Sequence, residues 1–330
     1  MSDRPLIEAV DLKKTFRVRT KALSTQKKEL KAVDGVNLKI YENETVGLVG
    51  ESGCGKSTLG RAILYLNPPS GGQVLFNGTP VNPRDKAVMR QFRKNAQLIF
   101  QDPYASLNPR RTIIDSVKAP LDVYQLGSQE ERLKQTEELL SIVGLSYQQS
   151  GKYPHELSGG QRQRAVIARA MILNPKFIVC DEPVSALDVS IRSQVLNLMK
   201  SIQRERKISY LFISHDLSVI RYLCTSVAVM YLGHIVEYGS KQQIFLSPAH
   251  PYTKALMSAI PIPDVDVKNH RVILQGDVPN PIDPPSGCCF HTRCPNARPE
   301  CAQRVPELCD LGDGHLAACH FAQEIEKEPM

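Results

Sequence analysis

Residues 50–58 read Gly50-Glu51-Ser52-Gly53-Cys54-Gly55-Lys56-Ser57-Thr58, and the first eight match the phosphate-binding pattern G-x-x-x-x-G-K-[ST] without a mismatch. The apolar run 45–49 in front of them is typical of a buried strand, and residues 57–64 are typical of a helix. A strand, a glycine-rich loop and a helix in this order wrap backbone N–H groups around a polyphosphate. We therefore expect residues 50–58 (50–57 are called the P-loop) to bind nucleotide, with Lys56 at the β- and γ-phosphates of ATP and Ser57 on Mg²⁺.

A second glycine-rich stretch, Leu157-Ser158-Gly159-Gly160-Gln161, lies about a hundred residues downstream of the P-loop. It stands at the start of a predicted helix over 162–170. This five-residue sequence is rare by chance at average composition. It predicts a second, separate anion site for the same nucleotide.

Two carboxylates follow the apolar strand predicted over 177–180, namely Asp181 and Glu182. The end of such a strand is the sheet edge where α/β proteins bind ligands. We expect Asp181 to hold Mg²⁺ through water and Glu182 to polarise the attacking water. An ordinary pair of acids at a strand end is the alternative interpretation, which a preceding P-loop disfavours.

Three single residues complete the predicted site. Gln101 ends the apolar run 98–100, from where it would touch both Mg²⁺ and the attacking water. His215 follows the run 210–214 in the same way and would face the γ-phosphate. Asp188, shortly after the carboxylate pair, suits a loop that crosses to a second subunit. Each residue alone is compatible with a structural role, but their order around the stronger motifs favours the functional one.

The hydrophobic pattern divides the chain into segments with different predicted secondary structure. Alternating residues over 6–49 predict a small β-layer, residues 105–165 are helical in pattern, and helices alternate with short apolar strands over 165–240, which is typical of a mostly parallel sheet. Ser128 and Glu131 predict a capping box, and Gly144 predicts the end of that helix. After residue 260 prolines mark an extended connection to a cysteine-rich tail. The predicted domains are therefore 1–260 and 261–330.

Composition narrows the possible partners. No apolar run in the 330 residues approaches the ~20 needed to span a bilayer, and the N-terminus has no signal pattern, so we expect a cytosolic chain that is not itself a membrane protein. Its nine cysteines are then expected to be reduced thiols or metal ligands. Nucleic acid is not expected, because tryptophan is absent and no aromatic residues interleave the basic ones.

Much of the net charge of +7 comes from one early segment, which we expect to be a solvated loop, with contact to anionic lipid as the alternative. The basic residues of that segment are Lys13, Lys14, Arg17, Arg19, Lys21, Lys27, Lys28 and Lys31.

Taken together and in this order, the motifs resemble those of the ATP-binding subunit of an ABC transporter, over residues 5–260. The resemblance implies an α/β fold: a P-loop (RecA-like) nucleotide-binding domain with an N-terminal antiparallel β subdomain, a helical subdomain over about 105–165, and here a small cysteine-rich C-terminal extension. It implies a head-to-tail dimer in which Ser158, Gly159 and Gly160 bind the γ-phosphate of an ATP held by the opposite subunit. Phe16 matches the position of an aromatic ring that stacks on adenine, where the family more often has Tyr. Cys54 replaces a more usual small polar residue.

Residues 101–110, 250–256 and the cysteine tail are similar to the subfamily that powers dipeptide and oligopeptide importers, and residues 53–61 resemble the second of its two ATPase subunits. The resemblance implies a homologous but different ATPase partner, two transmembrane permease subunits, an extracytoplasmic substrate-binding protein, and a peripheral location at the cytoplasmic face of the inner membrane. It also implies that residues 102–110 meet the coupling helices of the permease.

Three alternatives remain open. Nickel, glutathione and some sugar importers use close relatives. A soluble ABC ATPase acting on nucleic acid would carry a long insertion or two ATPase halves, neither of which is present. A non-catalytic subunit would be expected to lack Glu182 or His215.

The tail places Cys288, Cys294, Cys301 and Cys319 at spacings that lack the close C-x-x-C pairs of structural zinc sites. Four thiolates can hold an iron-sulfur cluster, and the resemblance to peptide-importer ATPases implies a [4Fe-4S] cluster. Zinc and plain buried cysteines are the other possibilities. His291, His315 and His320 lie nearby in sequence, and Cys289 and Cys309 are spare thiols.

Overall fold

The computed structural model describes residues 4–19, 27–260 and 272–327. Its strands are β1 (Ile7–Arg19), β2 (Lys27–Ile40), β3 (Thr45–Val49), β4 (Gly71–Phe76), β5 (Thr79–Pro80), β6 (Ala96–Ile99), β7 (Phe177–Asp181), β8 (Ser209–Ile213), β9 (Ser226–Tyr231), β10 (His234–Ser240), β11 (Cys309–Asp310) and β12 (Leu316–Ala317). Its α-helices are α1 (Lys56–Ile63), α2 (Lys86–Asn95), α3 (Pro103–Ser106), α4 (Ile113–Tyr124), α5 (Gln129–Ile142), α6 (Tyr147–Ser150), α7 (Gly159–Met171), α8 (Val189–Arg206), α9 (Leu217–Leu223), α10 (Lys241–Leu246), α11 (Pro251–Ser258) and α12 (Ala322–Glu326). Short 3₁₀ turns cover Pro154–Glu156 and Pro299–Ala302.

The chain forms two compact units. The P-loop unit contains the described residues within 7–40, 45–80 and 213–327. In it, an antiparallel sheet has the order β2-β1-β4-β5, with Ile7 of β1 opposite Ile40 of β2. A second group of strands has the order β11-β12-β10-β9-β3, in which β3 and β9 are parallel and the other neighbours antiparallel. The P-loop connects the end of β3 to the start of α1.

The helical unit contains the described residues within 4–6, 41–44 and 81–212. Its strands β6 and β7 are parallel, and β8 lies next to β7. Helices α2 to α8 belong to this unit. Most residues of α7 are buried, and Ala165, Ile167 and Ala168 are fully inaccessible to solvent. The predicted strands over 177–180 and 210–213 are confirmed as β7 and β8.

Local signals in the sequence are confirmed at the ends of helices. Ser128 accepts a hydrogen bond from the Glu131 N–H, while the Glu131 carboxylate accepts one from the Ser128 N–H, which is the predicted capping box of α5. Gly144 adopts φ 76° just after that helix, as a helix-ending glycine does. The helix behind the P-loop begins one residue before its predicted start and ends at Ile63.

The early basic segment is not the loop that its composition predicts. Lys13, Lys14, Arg17 and Arg19 lie in β1, and Lys27, Lys28 and Lys31 lie in β2. The two strands stay paired out to Arg19 and Lys27, and Arg17 faces Glu29 across the ladder. Backbone pairing therefore keeps the described part of the segment extended, even where Arg19 lies opposite Lys27. Lys21 lies outside the described residues, as do Pro261 and Pro263 of the predicted proline-rich connection.

Across the part of the chain that the structure describes, no helix is both long enough and apolar enough to cross a membrane.

Candidate functional site

The P-loop turns tightly against its neighbours, which only glycine permits at two positions. Gly50 adopts φ 150° and Gly55 adopts φ 110°. A Cβ on Gly50 would collide with the Met230 carbonyl oxygen, and one on Gly55 with the Ala32 carbonyl oxygen. The loop is therefore fixed by backbone packing before the first turn of α1, whose N–H groups point back into it.

Lys56 lies inside the loop, with 6% of its surface exposed. Its ammonium group donates to the carbonyl oxygens of Gly50 at 2.7 Å and Glu51 at 2.8 Å. Cys54 is buried, and burial raises the pKa of its thiol. The thiol is thus neutral at physiological pH, and the loop presents one cation where a polyphosphate is predicted.

Glu51 is held from outside the P-loop. Its N–H donates to the Tyr252 hydroxyl at 2.8 Å, and its carboxylate accepts two hydrogen bonds from Arg293. Neither partner was predicted from the sequence, because they lie 201 and 242 residues away.

Two further predicted residues belong to the P-loop unit. Phe16 lies on β1 opposite Leu30, is 36% exposed, and has the Lys14 ammonium 5.2 Å from its ring centre. His215 is exposed and follows Ser214, whose N–H donates to the Leu48 carbonyl in β3. His215 therefore lies beside the strand that leads into the P-loop.

In the helical unit, Gln101 and Glu182 are in direct contact. The Gln101 side-chain amide donates to the Glu182 carboxylate at 2.9 Å. Asp181, the last residue of β7, is 1% exposed, and Glu182 follows it with the left-handed φ of 48°. The structure thus brings together two of the predicted residues that are 81 positions apart.

The second glycine-rich stretch caps α7. The Ser158 hydroxyl accepts from the Gln161 N–H at 3.3 Å, and the Gln161 side chain accepts from the Ser158 N–H at 3.0 Å. Ser158 is exposed, Gly159 is partly exposed, and Leu157 and Gly160 are buried. A Cβ on Gly160 would collide with Ile191 of α8, whereas one on Gly159 would meet Leu187 at an ordinary 3.7 Å. Gly160 therefore packs two helices together, and Ser158 and Gly159 form the accessible part.

Asp188 is the N-cap of α8. Its carboxylate accepts from the Ile191 N–H at 2.9 Å and from the Ser190 hydroxyl at 2.8 Å. These bonds, the Ile191 N–H first, lower the pKa of Asp188. The side chain is ionised and exposed at the start of this helix.

The segment after Gln101 is fastened to α7. The Arg162 guanidinium lies 3.9 Å from the ring centre of Tyr104, and it donates to the Leu157 carbonyl at 2.5 Å. Arg169 donates to the Ser106 carbonyl. A groove of about 470 Å³ is lined here by residues that include Leu107, Asn108, Arg111 and Ala119.

The four tail cysteines, 288, 294, 301 and 319, line one small cavity together with His291 and His320. Burial raises the pKa of Cys294 to about 11 and that of Cys319 to about 12, so these thiols are protonated at neutral pH. Within the described residues, no group of three or more His, Cys, Asp or Glu side chains is arranged to hold a metal ion. The soft donors that the predicted cluster needs are nevertheless gathered at one cavity.

His315 lies apart from that cavity, against a buried carboxylate. Its Nε2 is 2.8 Å from Oε1 of Glu237, which is fully buried in β10. The Glu237 carboxylate also accepts from the N–H groups of Ala249 and His250 at the start of α11. Sequence patterns gave no signal for this cluster, since a lone glutamate in a strand is usually exposed.

Two family models match the chain. The one described as ABC transporter matches residues 33–185, and the one described as oligopeptide/dipeptide transporter, C-terminal region, matches residues 236–301. The chain is 48% identical over 319 residues to the oligopeptide transport ATP-binding protein AppF of Bacillus subtilis, covering 96% of this chain and 97% of that protein. It is 51% identical over 309 residues to the oligopeptide transport ATP-binding protein OppF of Salmonella typhimurium, covering 92% of each.

Solved structures agree with these matches. A dimeric post-hydrolysis state of an ATP-binding cassette bound to ADP and Pi matches with a TM-score of 0.63 and 29% identity, covering 71% of this chain and 98% of that one. The structure of cbiO1 from Clostridium perfringens, described as part of an ABC transporter complex, matches with a TM-score of 0.63 and 26% identity, covering 74% and 91%. The ABC-type fold with an antiparallel β part and a helical part is thereby confirmed.

Proposed function

The chain belongs to the ABC transporter ATPases of the oligopeptide type, and from that membership we propose that it hydrolyses ATP to power the import of di- or oligopeptides across the cytoplasmic membrane. The observation that carries the proposal is the joint presence of both matched regions in one chain with a P-loop and the Gln101–Glu182 pair. ATPase activity follows from the family, and the peptide substrate class follows from the relatives.

In this proposal the P-loop, with Thr58, binds the phosphates of ATP, and Phe16 stacks on adenine. Lys56 exchanges its bonds to loop carbonyls for bonds to phosphate oxygens. Ser57, Gln101 and Asp181 are the residues that would hold Mg²⁺, which would supply charge neutralisation at the β- and γ-phosphates. Glu182 accepts the proton of the attacking water, and His215 contacts the γ-phosphate.

The stretch 157–161 acts in trans in this proposal. Ser158 and Gly159 are accessible at the N-terminus of α7, a helix end that favours anions. They contact the γ-phosphate held by a homologous ATPase subunit, and Asp188 lies in the loop that crosses to that subunit.

The proposed partners are two permease subunits and an extracytoplasmic binding protein, with this chain at the cytoplasmic face of the inner membrane. The groove behind Tyr104, built from α3 and the residues up to Ala119, would take the cytoplasmic helices of the permease. Purification of the tagged chain in detergent is expected to recover a second ATPase and two polytopic membrane proteins. A chain that purifies alone and binds nucleic acid tightly would overturn import.

We also propose that the tail cysteines bind a [4Fe-4S] cluster. Their convergence on one cavity supports this, and the thiols must lose their protons to bind iron. The full chain purified without oxygen should be brown and contain about four irons per chain by this stoichiometry. Cys294→Ser should abolish the colour, whereas Cys309→Ser, at an exposed position outside the cavity, should keep it. A colourless, iron-free wild-type protein would exclude the cluster. Finding stoichiometric zinc in that protein instead would identify the cysteines as a zinc site.

A further inference from the structure

An arginine of the C-terminal residues 272–327 (called the C-terminal region below) contacts the P-loop. Arg293 Nη1 lies 2.7 Å from Glu51 Oε2, and Nη2 lies 3.0 Å from Oε1. The Arg293 side chain is 7% exposed, and that of Glu51 is 28% exposed. Two parallel bonds between planar groups fix both partners in orientation as well as in distance. The pair is therefore a rigid contact rather than a surface ion pair.

Glu51 passes this constraint to Lys56. The same residue that binds Arg293 through its carboxylate holds the Lys56 ammonium with its carbonyl oxygen at 2.8 Å. Its N–H is held by Tyr252 at 2.8 Å. All three polar groups of Glu51 thus have partners, and a shift of its side chain would move the peptide unit against which Lys56 lies.

Arg293 is itself firmly placed. Its N–H donates to the Phe290 carbonyl at 3.0 Å, which closes a tight turn. Phe290 is 1% exposed and packs edge-on against Tyr231 with ring centres 5.3 Å apart, and against Tyr252 at 5.4 Å. This aromatic anchor fixes the backbone of the turn on the P-loop unit, and it thereby places the Arg293 guanidinium within reach of Glu51.

The charge of Glu51 makes the contact matter for nucleotide. A carboxylate in a loop that binds a polyanion opposes binding unless a cation neutralises it. We propose that Arg293 is a positioning residue of the nucleotide site, which neutralises Glu51 and fixes the peptide unit that holds Lys56. This rests on the proposed role of the P-loop in ATP binding. The C-terminal region then contributes to ATP affinity without touching the nucleotide.

The test measures affinity in the full chain, by binding of a fluorescent ATP analogue with Mg²⁺ and its displacement by ATP. Arg293→Gln is expected to weaken ATP binding about tenfold, because the Glu51 charge is left unpaired near the phosphates. The double variant Glu51→Gln with Arg293→Gln should recover most of this loss and bind ATP about threefold more weakly than wild type, because the repulsion is gone while the paired bonds stay absent. Arg293→Lys should lose about threefold, since one ammonium cannot form the paired bonds.

The matched control is Arg298→Gln. Arg298 also lies in the tail and also pairs with a carboxylate, that of Glu324, but both side chains are more than half exposed. The Arg298→Gln variant should bind ATP with the same affinity as wild type. Unchanged affinity in Arg293→Gln, or a double variant no better than the single one, would overturn the proposal. If Arg293→Gln does not fold, a loss in Arg293→Lys supports the proposal and no loss overturns it. Lys56→Ala tests the ATP-binding role of the P-loop separately from the role of Arg293. Unchanged ATP affinity in that variant would refute the assignment of the P-loop to ATP binding.

Discussion

At the residue scale, Glu182 is held in a backbone conformation that few side chains adopt. Its φ of 48° directly follows the extended strand β7, and left-handed non-glycine residues cost on the order of 1 kcal/mol or more. The turn brings its carboxylate to the Gln101 amide. Such a conformation at the end of a strand is consistent with a residue placed for chemistry rather than for stability.

Glu182→Gln is expected to keep ATP binding and to lower the hydrolysis rate by at least ~100-fold, because an amide cannot accept the proton of water. The change is nearly isosteric, so the contact with Gln101 persists. Phosphate release at saturating ATP measures the rate, and displacement of a fluorescent nucleotide measures binding. Glu156→Gln, an exposed glutamate of the same unit, is the control. Turnover unchanged in Glu182→Gln would remove Glu182 from the catalytic role.

Sequence reasoning succeeds for residues whose role is local. The glycines that turn the P-loop, the strand that ends at Asp181 and the capping Ser128 are recognised because each needs only its sequence neighbours. The Arg293–Glu51 contact is invisible to such reasoning, because nothing near either residue encodes the other. The left-handed φ of Glu182 is equally invisible to sequence reasoning, since glutamate has no preference for that conformation.

At the scale of elements, α7 uses its glycines for two different purposes. Gly160 is buried against Ile191 of α8, whereas Gly159 has room for a side chain. The stretch 157–161 therefore also has a structural role within one chain, because its Gly160 allows α7 and α8 to pack closely. The sequence predicts a helix start here, but it gives no means of telling which glycine is structural.

Gly160→Ala should destabilise the protein by about 1–3 kcal/mol, because its methyl group overpacks the contact between α7 and α8. Gly159→Ala should stay within about 0.5 kcal/mol of wild type, since its Cβ meets only an ordinary contact and alanine suits a helix. Urea unfolding of both variants checks this. Equal stability of the two would show that the backbone of α7 shifts freely.

The hairpin of β1 and β2 shows where pattern reasoning fails for an element. Clustered lysines and arginines predict a solvated loop, but a long antiparallel ladder tolerates charges on its exposed face. Composition reports solvent exposure here, and not backbone conformation.

At the scale of the whole molecule, the C-terminal residues 272–327 belong to the P-loop unit and are joined to it by buried polar groups. Burial lowers the pKa of His315, but its hydrogen bond to Glu237 and the charges of Glu237 and Glu326 outweigh burial and raise it above the usual value. A raised folded-state pKa means that the charged pair stabilises the fold fully below about pH 6.5, and that this is lost as pH rises through the folded-state pKa.

His315→Gln should therefore destabilise the protein by about 1–3 kcal/mol at pH 6, the typical effect of losing a buried charged hydrogen bond. The difference from wild type should shrink steadily as the pH is raised toward 9. Urea midpoints across this range measure it. His155→Gln, an exposed histidine stacked on Tyr153, should show no such trend. A difference that grows with pH would reverse the assigned charge state of His315.

The Glu237 carboxylate also bears on how this protein can change over evolutionary time. It is fully buried and takes one of its three partners from residue 315, near the far end of the described chain. In a descendant that lost the tail, the loss of His315 and of the β12 residues paired with β10 would remove the reason for an acid at this position. Lineages are thus expected to keep or discard this glutamate and the tail together.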